Sequence, residues 1–270
     1  MAKKTLLTIG NTQKKVKKPM ITIDGVHKKV KKVLLTVDGV HRLVFQSNLS
    51  LAELPVGSSV FMNVNGAATE FLVVHQGLPD ATIYDASCDG TWLLMKNVYT
   101  DSSITDVQYG TNNADFERSY VRENLNTYVF PAFDANVQNL IKQVKIPYYK
   151  VTGETGAVVS GANGLSTKLF LLGGYEVGWT TANGAFPVDG AVLDYFKGCA
   201  ATDAKRIAYY PGGDQAAWWL RSINPTSHKR AWNTYGGEAW NDTFTTWCSL
   251  RPALILPSTA IVDDNFNVIA

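Results

Sequence analysis

The chain has 270 residues, 46% of them hydrophobic, and a net charge of +2, which is enough apolar material for one large domain or a domain with an appendage. No apolar run approaches the ~20 residues needed to cross a bilayer, and the basic start MAKKTLL is not followed by the apolar core of a secretion signal, so neither membrane insertion nor classical export is predicted. Cys88, Cys199 and Cys248 form no CxxC pair, and His27, His41, His75 and His228 are scattered, so spacing predicts no disulfide framework, no metal and no cofactor.

The small net charge hides an asymmetry. Residues 1–45 carry eleven Lys/Arg against two Asp, or +9, and the rest of the chain fourteen against twenty-one Asp/Glu, or −7. The basic part is a repeat: LLTIGNTQKKVKK (6–18), MITIDGVHKKVKK (20–32) and LLTVDGVHRLVF (34–45) align with a period of 14, bringing Thr8, Thr22 and Thr36 into register. In each unit an alternating run meets a turn site, Asp24-Gly25 or Asp38-Gly39 in the later two, suited to a type I′ turn. Residues 1–47 are therefore expected to form three small β-hairpins. Hairpins that short are marginal alone, so pairing with each other, with other copies or with a larger assembly is expected, which makes this an attachment or oligomerisation arm. A nucleic-acid tail ranks lower, because Lys alternating along a strand also blocks edge aggregation.

In the body, residues 48–270, the stretch 54–77 reads as two strands joined near Asn65-Gly66, and GTWLLMKNVY (90–99) as a buried strand. Apolar spacing after Ser119 and after Asp134 predicts two capped amphipathic helices, separated by Pro131 and ended by Pro147. The Gly-rich stretch 151–200 reads as ordered loops around one strand, KLFLLGGYEVGW (168–179), with a short helix at 189–197. AAWWLRS (216–222), SLRPALIL (249–256) and NFNVI (265–269) are the final strands. The pattern is α+β, without βαβ alternation.

WWLRS (218–222) and CSLRPALILP (248–257), with DGTWLLMKNVY, IKQVKIPY, FLLGGYEVGW, PVDGAVLDYF and KRIAYY in order before them, resemble a domain frequent in prophage proteins of Gram-positive bacteria. That domain in turn resembles the C-type-lectin fold, in the branch of formylglycine-generating enzymes and the variable proteins of diversity-generating retroelements. The resemblance covers about residues 48–270. It implies a small twisted antiparallel sheet with two helices, whose C-terminal strands hold up a recognition surface on a phage tail tip or fibre. A virion location, contacts to other virion proteins through residues 1–47, and a homotrimer by analogy with fibre tips follow from it.

Five of the seven Trp fall between residues 218 and 247, interleaved with small polar residues. Large rigid aromatics beside Ser, Asn, Thr and Gly are the composition of a paratope. The segment 223–247 is thus expected to be a solvent-facing binding surface between two strands, with Trp218, Leu220, Ala253, Ile255 and the Arg251 stem as scaffold. Asn224, Thr226, Ser227, His228, Lys229, Asn233, Tyr235, Asn241, Asp242, Thr243 and Phe244 are the expected ligand-facing residues; Trp232, Trp240 and Trp247 are open between anchor and core. The implied ligand is a bacterial surface protein or glycan. Arg221 and Arg251 read as clamps with Asp214 or Glu238 as partners. Trp240-Asn241-Asp242 is similar to half of a lectin calcium site, but its companion triplet is missing and calcium needs six to eight oxygens.

Cys248 has no nearby partner for an oxidase, and the carboxylates show no close pairing; the chain reads as a non-enzyme. Two alternatives stay open: a purely structural tail or capsid-decoration protein, and an oxidase of the formylglycine-generating type.

Overall fold

A computed structural model of the chain describes residues 6–9, 12–15, 20–23, 26–29, 32–37, 40–46, 48–111, 115–180 and 186–269. Two compact units, Met1–Leu49 and Ser50–Ala270, divide it.

The first unit holds three antiparallel hairpins: Leu6–Ile9 with Thr12–Lys15, Met20–Ile23 with Val26–Lys29, and Lys32–Val37 with Val40–Gln46. The 14-residue repeat is also a repeat of register, since Thr8, Thr22 and Thr36 face Gln13, His27 and His41. Two residues separate the strands of each hairpin, as a two-residue turn requires; the I′ turns expected at Asp24-Gly25 and Asp38-Gly39 lie outside the described residues. Each hairpin is its own two-stranded sheet, so among the described residues the expected pairing of units with one another is not made through strands.

The second unit is built mainly on two sheets. Ser59–Val64, Ala67–Gln76, Thr91–Met95 and Ala253–Leu256 form a four-stranded antiparallel sheet. Asn65 and Gly66, with φ of 51° and 74°, supply the positive dihedrals of the turn joining its first pair. Thr91–Met95 is buried at every position, in keeping with its continuous apolar run. The other sheet has five strands in the order Asp106–Gln108, Trp247–Ser249, Trp218–Ile223, Arg230–Tyr235, Glu238–Thr243. The predicted strand 249–256 is split between the two sheets. Pro252 interrupts it, having no N–H for a ladder, so Trp247–Ser249 stays in the five-stranded sheet and Ala253–Leu256 crosses into the other.

The α+β expectation, with its C-type-lectin-like frame of two helices, is corrected: the protein is mostly β, with 37% strand against 17% helical residues, in several small sheets. Helix is confined to short turns. Ser119 caps the first as expected, its Oγ accepting from Arg122 N at 3.1 Å. After Tyr120–Asn124, however, the ladder widens to a π turn at Leu125–Val129 and tightens to a 3-10 turn at Phe130–Ala132. Asn124 and Asn126 turn their side-chain amides back onto the carbonyls of Tyr120 and Arg122, a local competitor of the helical ladder. The second run, Ala135–Leu140, ends where Ile141 turns extended and Lys142 N donates to Ile255 O at 2.9 Å. Asp134 makes no cap; its carboxylate accepts from Asn63 Nδ2 at 2.8 Å.

Two further expectations fail locally. Residues 168–179 are largely buried without being a strand; the stretch meets Ala253 through the Phe170 bridge and accepts from Arg221 N at Leu172 O, then turns at 174–178. The helix predicted at 189–197 is a single 3-10 turn, Asp194–Phe196. Among the described residues no helix is long and apolar enough to cross a membrane.

Candidate ligand-binding surface

Trp218–Ile223 is the middle strand of the five-stranded sheet and is buried at all six positions. Alternation sends Trp218 and Trp219 to opposite faces. On one face the Arg251 guanidinium lies 4.9 Å from the Trp218 ring centre; on the other, Trp219 meets Tyr109 edge-on at 5.4 Å, and Tyr109 stacks on Phe244 at 5.3 Å. Aromatic pairs of this kind add about 0.5–1.5 kcal/mol each beyond area burial.

Arg221 is fully buried and is held by Glu176, not by Asp214 or Glu238, both of which are exposed. Its two terminal nitrogens reach the two Glu176 oxygens at 2.5 and 2.6 Å, and the guanidinium also donates to the carbonyls of Pro147, Leu171 and Asp189. Tyr84 Oη donates to Glu176 Oε1 at 2.6 Å, and Ser222 Oγ donates to the Asp189 carboxyl at 2.8 Å. The Glu176 carboxylate therefore holds the guanidinium directly in a dry site, while Asp189 meets it through its carbonyl and keeps its carboxyl on Ser222. Burial pushes the Asp189 carboxyl up to about 6, against the opposing pull of Arg221 and Ser222. Burial disfavours the Arg221 charge, but Glu176 and Asp189 more than offset this and raise its pKa.

Arg251 is equally buried yet meets no carboxylate among the described residues: it donates to Met95 O at 2.9 Å and Lys96 O at 2.8 Å, and burial pulls its pKa down to about 10. Both arginines are internal clamps. Sequence reasoning missed the Glu176–Arg221–Asp189 network, although a lone Glu inside GGYEVGW and a lone Arg inside WWLRSI were the signal, because charges within apolar runs must find each other.

The segment 223–247 is chiefly a hairpin and not an open loop. Arg230–Tyr235 pairs with Glu238–Thr243 through Gly236-Gly237, with φ of 60° and 82°. At Gly237 a Cβ would stand 2.4 Å from Asp203 O, so this turn requires glycine twice over. The expected single wet surface is divided. Asn224, Asn233 and Phe244 are buried, which corrects the expectation that they face solvent or ligand, and Trp232, open between anchor and core, is buried too. Asn224 Oδ1 accepts from Thr226 N and Oγ1 at 2.9 and 2.7 Å, shaping the loop. Trp232 is core, stacked on Phe186 at 4.0 Å, which stacks on Trp179 at 5.7 Å. Asn233 Nδ2 donates to Asp242 Oδ2 at 2.8 Å.

Thr226, Lys229 and Thr243 are exposed, while Ser227, His228, Asn241 and Asp242 are partly covered. His228 stacks on Tyr149 at 6.1 Å. Tyr235 and Trp240 remain 49% and 50% exposed. Asn233 pairs with Trp240, so Tyr235, Trp240 and Asp242 share one face of the hairpin while Asn241 and Thr243 lie on the other. The wet residues therefore form an aromatic edge on one face and a separate loop at 226–229.

Cys88 and Cys248 are buried, free thiols, each pushed up to about 12 chiefly by burial. A thiol so placed is a small apolar side chain and not a nucleophile. Among the described residues no group of three or more His, Cys, Asp or Glu gathers as a metal site, and Asp242 of the Trp-Asn-Asp triplet is engaged by Asn233.

No curated protein and no solved structure matches the chain. Residues 89–258, which hold the whole five-stranded sheet and the Glu176–Arg221–Asp189 network, match a family described as a domain of unknown function, DUF6273. With 170 of its 270 residues inside that match, the chain belongs to the DUF6273 family.

Proposed function

We propose that the protein is a non-catalytic virion component, on a phage tail or fibre, that binds a protein or glycan of a bacterial surface. The observation that carries this reading is the pair Tyr235 and Trp240, half exposed on one face of an edge hairpin whose neighbouring strand is wholly buried. Large rigid rings at a wet edge, beside Asp242, supply contact area at low entropic cost, with hydrogen-bonding groups alongside. The body is net negative, so affinity rests on these contacts and not on long-range attraction to the anionic surface of a bacterium. The three-hairpin arm would join other virion proteins or further copies in a trimer, which supplies the strand partners that isolated hairpins need.

A structural tail or decoration role is the second reading. It is favoured by the outer side of Glu238–Thr243, an edge that has no further strand among the described residues and that neighbouring subunits would cover.

Attachment of the full chain to a panel of intact Gram-positive cells, followed by flow cytometry, separates the two. Attachment that drops at least ten-fold in Tyr235→Ser/Trp240→Ser, with unchanged thermal unfolding, supports the receptor-binding reading. Attachment to no cell, or attachment indifferent to both substitutions, favours the structural one.

A further inference from the structure

We propose a second ligand site on the same domain: a groove that takes a neutral oligosaccharide. It rests on the ligand-binding class of the reading above but not on its location. The groove encloses about 370 Å³, within the ~300–1,000 Å³ usual for ligand pockets. Its floor is the edge strand Asp106–Gln108 with the start of Trp247–Ser249, and its wall is the helical run Tyr120–Val129. Strand order puts this groove at the opposite edge of the five-stranded sheet from Tyr235 and Trp240. Register puts it on the opposite face as well, since Trp247 alternates with Cys248 onto the side of Ser249 and Trp218, whereas Trp240 pairs with Asn233 on the side of Trp219.

Three rings converge there: Tyr120 is 41% exposed, Tyr128 43% and Trp247 63%. Isolated exposed aromatics need no explanation, but two from one helical run and a third from more than a hundred residues away that line one concavity do. The wall is anchored by Val121, Leu125 and Val129, all buried, so the outer residues are displayed on a fixed support. Part of that support is the π turn Leu125–Val129, a rare geometry concentrated at functional sites.

The polar lining is rich in acceptors. Asp106 Oδ1 accepts from Tyr210 Oη at 2.9 Å and Ser249 Oγ at 2.5 Å, while Oδ2 has no partner among the described residues. Gln108 and Asn124 each donate one amide N–H to the carbonyls of Thr245 and Tyr120, which fixes the amides and leaves their side-chain oxygens for a ligand. Glu123 also lines the groove, and among the described residues no Lys, Arg or His does. Two carboxylates without a basic residue repel a phosphate- or carboxylate-bearing polymer. A pyranose fits: its C–H faces lie flat on exposed rings, and its hydroxyls donate to carboxylate and amide oxygens. A cationic peptide is the competing chemistry, but half of the available acceptors are neutral amides and Asp106 already takes two hydroxyl protons.

The test is calorimetric titration of the full chain with neutral hexose and N-acetylhexosamine oligomers of two to six units, alongside hexalysine and polyglycerol phosphate. The expected result is binding of at least one neutral oligomer that weakens ten-fold or more in Trp247→Ala and in Tyr128→Ala. The same binding should be untouched by Tyr235→Ser/Trp240→Ser and uncontested by the charged probes. Neither groove side chain is buried, and Tyr128→Ala carries the test if Trp247→Ala does not fold. Absence of binding by every neutral oligomer at millimolar concentration, binding indifferent to the groove substitutions, or preference for hexalysine or polyglycerol phosphate overturns the proposal. Cells bound while all oligomers fail would remove this groove alone; oligomers bound at Trp247 while no cell is bound would remove the attachment reading alone.

Discussion

The middle strand Trp218–Ile223 and the edge strand Glu238–Thr243 belong to the same sheet and both mix Trp with polar residues, yet the first is dry at every position and the second is fully buried at none. Composition does not separate them. Position does: a middle strand has its backbone bonded on both sides and both of its faces covered, whereas an edge strand lies where the core runs out. The polar residues follow suit. Arg221 in the middle strand requires a full complement of buried partners, while Asp242 at the edge needs only Asn233 and water.

The largest break in this comparison is expected at Arg221. Arg221→Met strands the buried Glu176 charge and should cost about 3–5 kcal/mol in denaturant unfolding. Replacing Glu176 with Met at the same time should recover much of the loss, because well-packed apolar groups substitute for a buried ion pair with little penalty. Full additivity of the two losses would mean that the pair is not a unit.

Next in size is the contrast between two tryptophans of one hairpin. Trp232→Ala opens a gap beneath Phe186 and should cost about 3 kcal/mol or more, whereas Trp240→Ala, half in water, should stay within about 1 kcal/mol. Equal costs would show that Trp240 is covered in solution, as in an assembly.

The smallest effect is a pH dependence. Asp189 titrates near 6 when folded and near 4 when unfolded, so between those values the native state holds a proton that the unfolded chain has released. Its contribution is complete below about pH 4 and is lost as pH rises through about 6. Unfolding free energy measured across this window should fall, and Asp189→Asn should remove that slope. A slope unchanged by the substitution would place the titration elsewhere.

Much of the local structure was legible. The Asn65-Gly66 hairpin, the buried strand at Thr91–Met95 and the strand pairs of the 14-residue repeat are written in turn residues and alternation. The helices were not, because a short apolar period shows which face is inward but not whether a neighbouring strand will capture the backbone, as Ile255 captures Lys142. The candidate site was legible only in part. The Trp-rich span does carry three wet rings, Tyr235, Trp240 and Trp247, but Trp232 and Phe244 are core, and the groove at Tyr120, Tyr128 and Trp247 joins segments more than a hundred residues apart.

By itself the sequence determined the repeated hairpins of the arm, the turns that need glycine or asparagine, and the apolar ribbons that must be buried, since these depend on dihedral preference and on contacts a few residues away. Only the tertiary structure decided that SLRPALIL serves two sheets, that Arg221 belongs to Glu176, and which of five neighbouring tryptophans meet water. Burial is set by the order of strands in a sheet, and that order is fixed by pairings between segments that no local pattern connects.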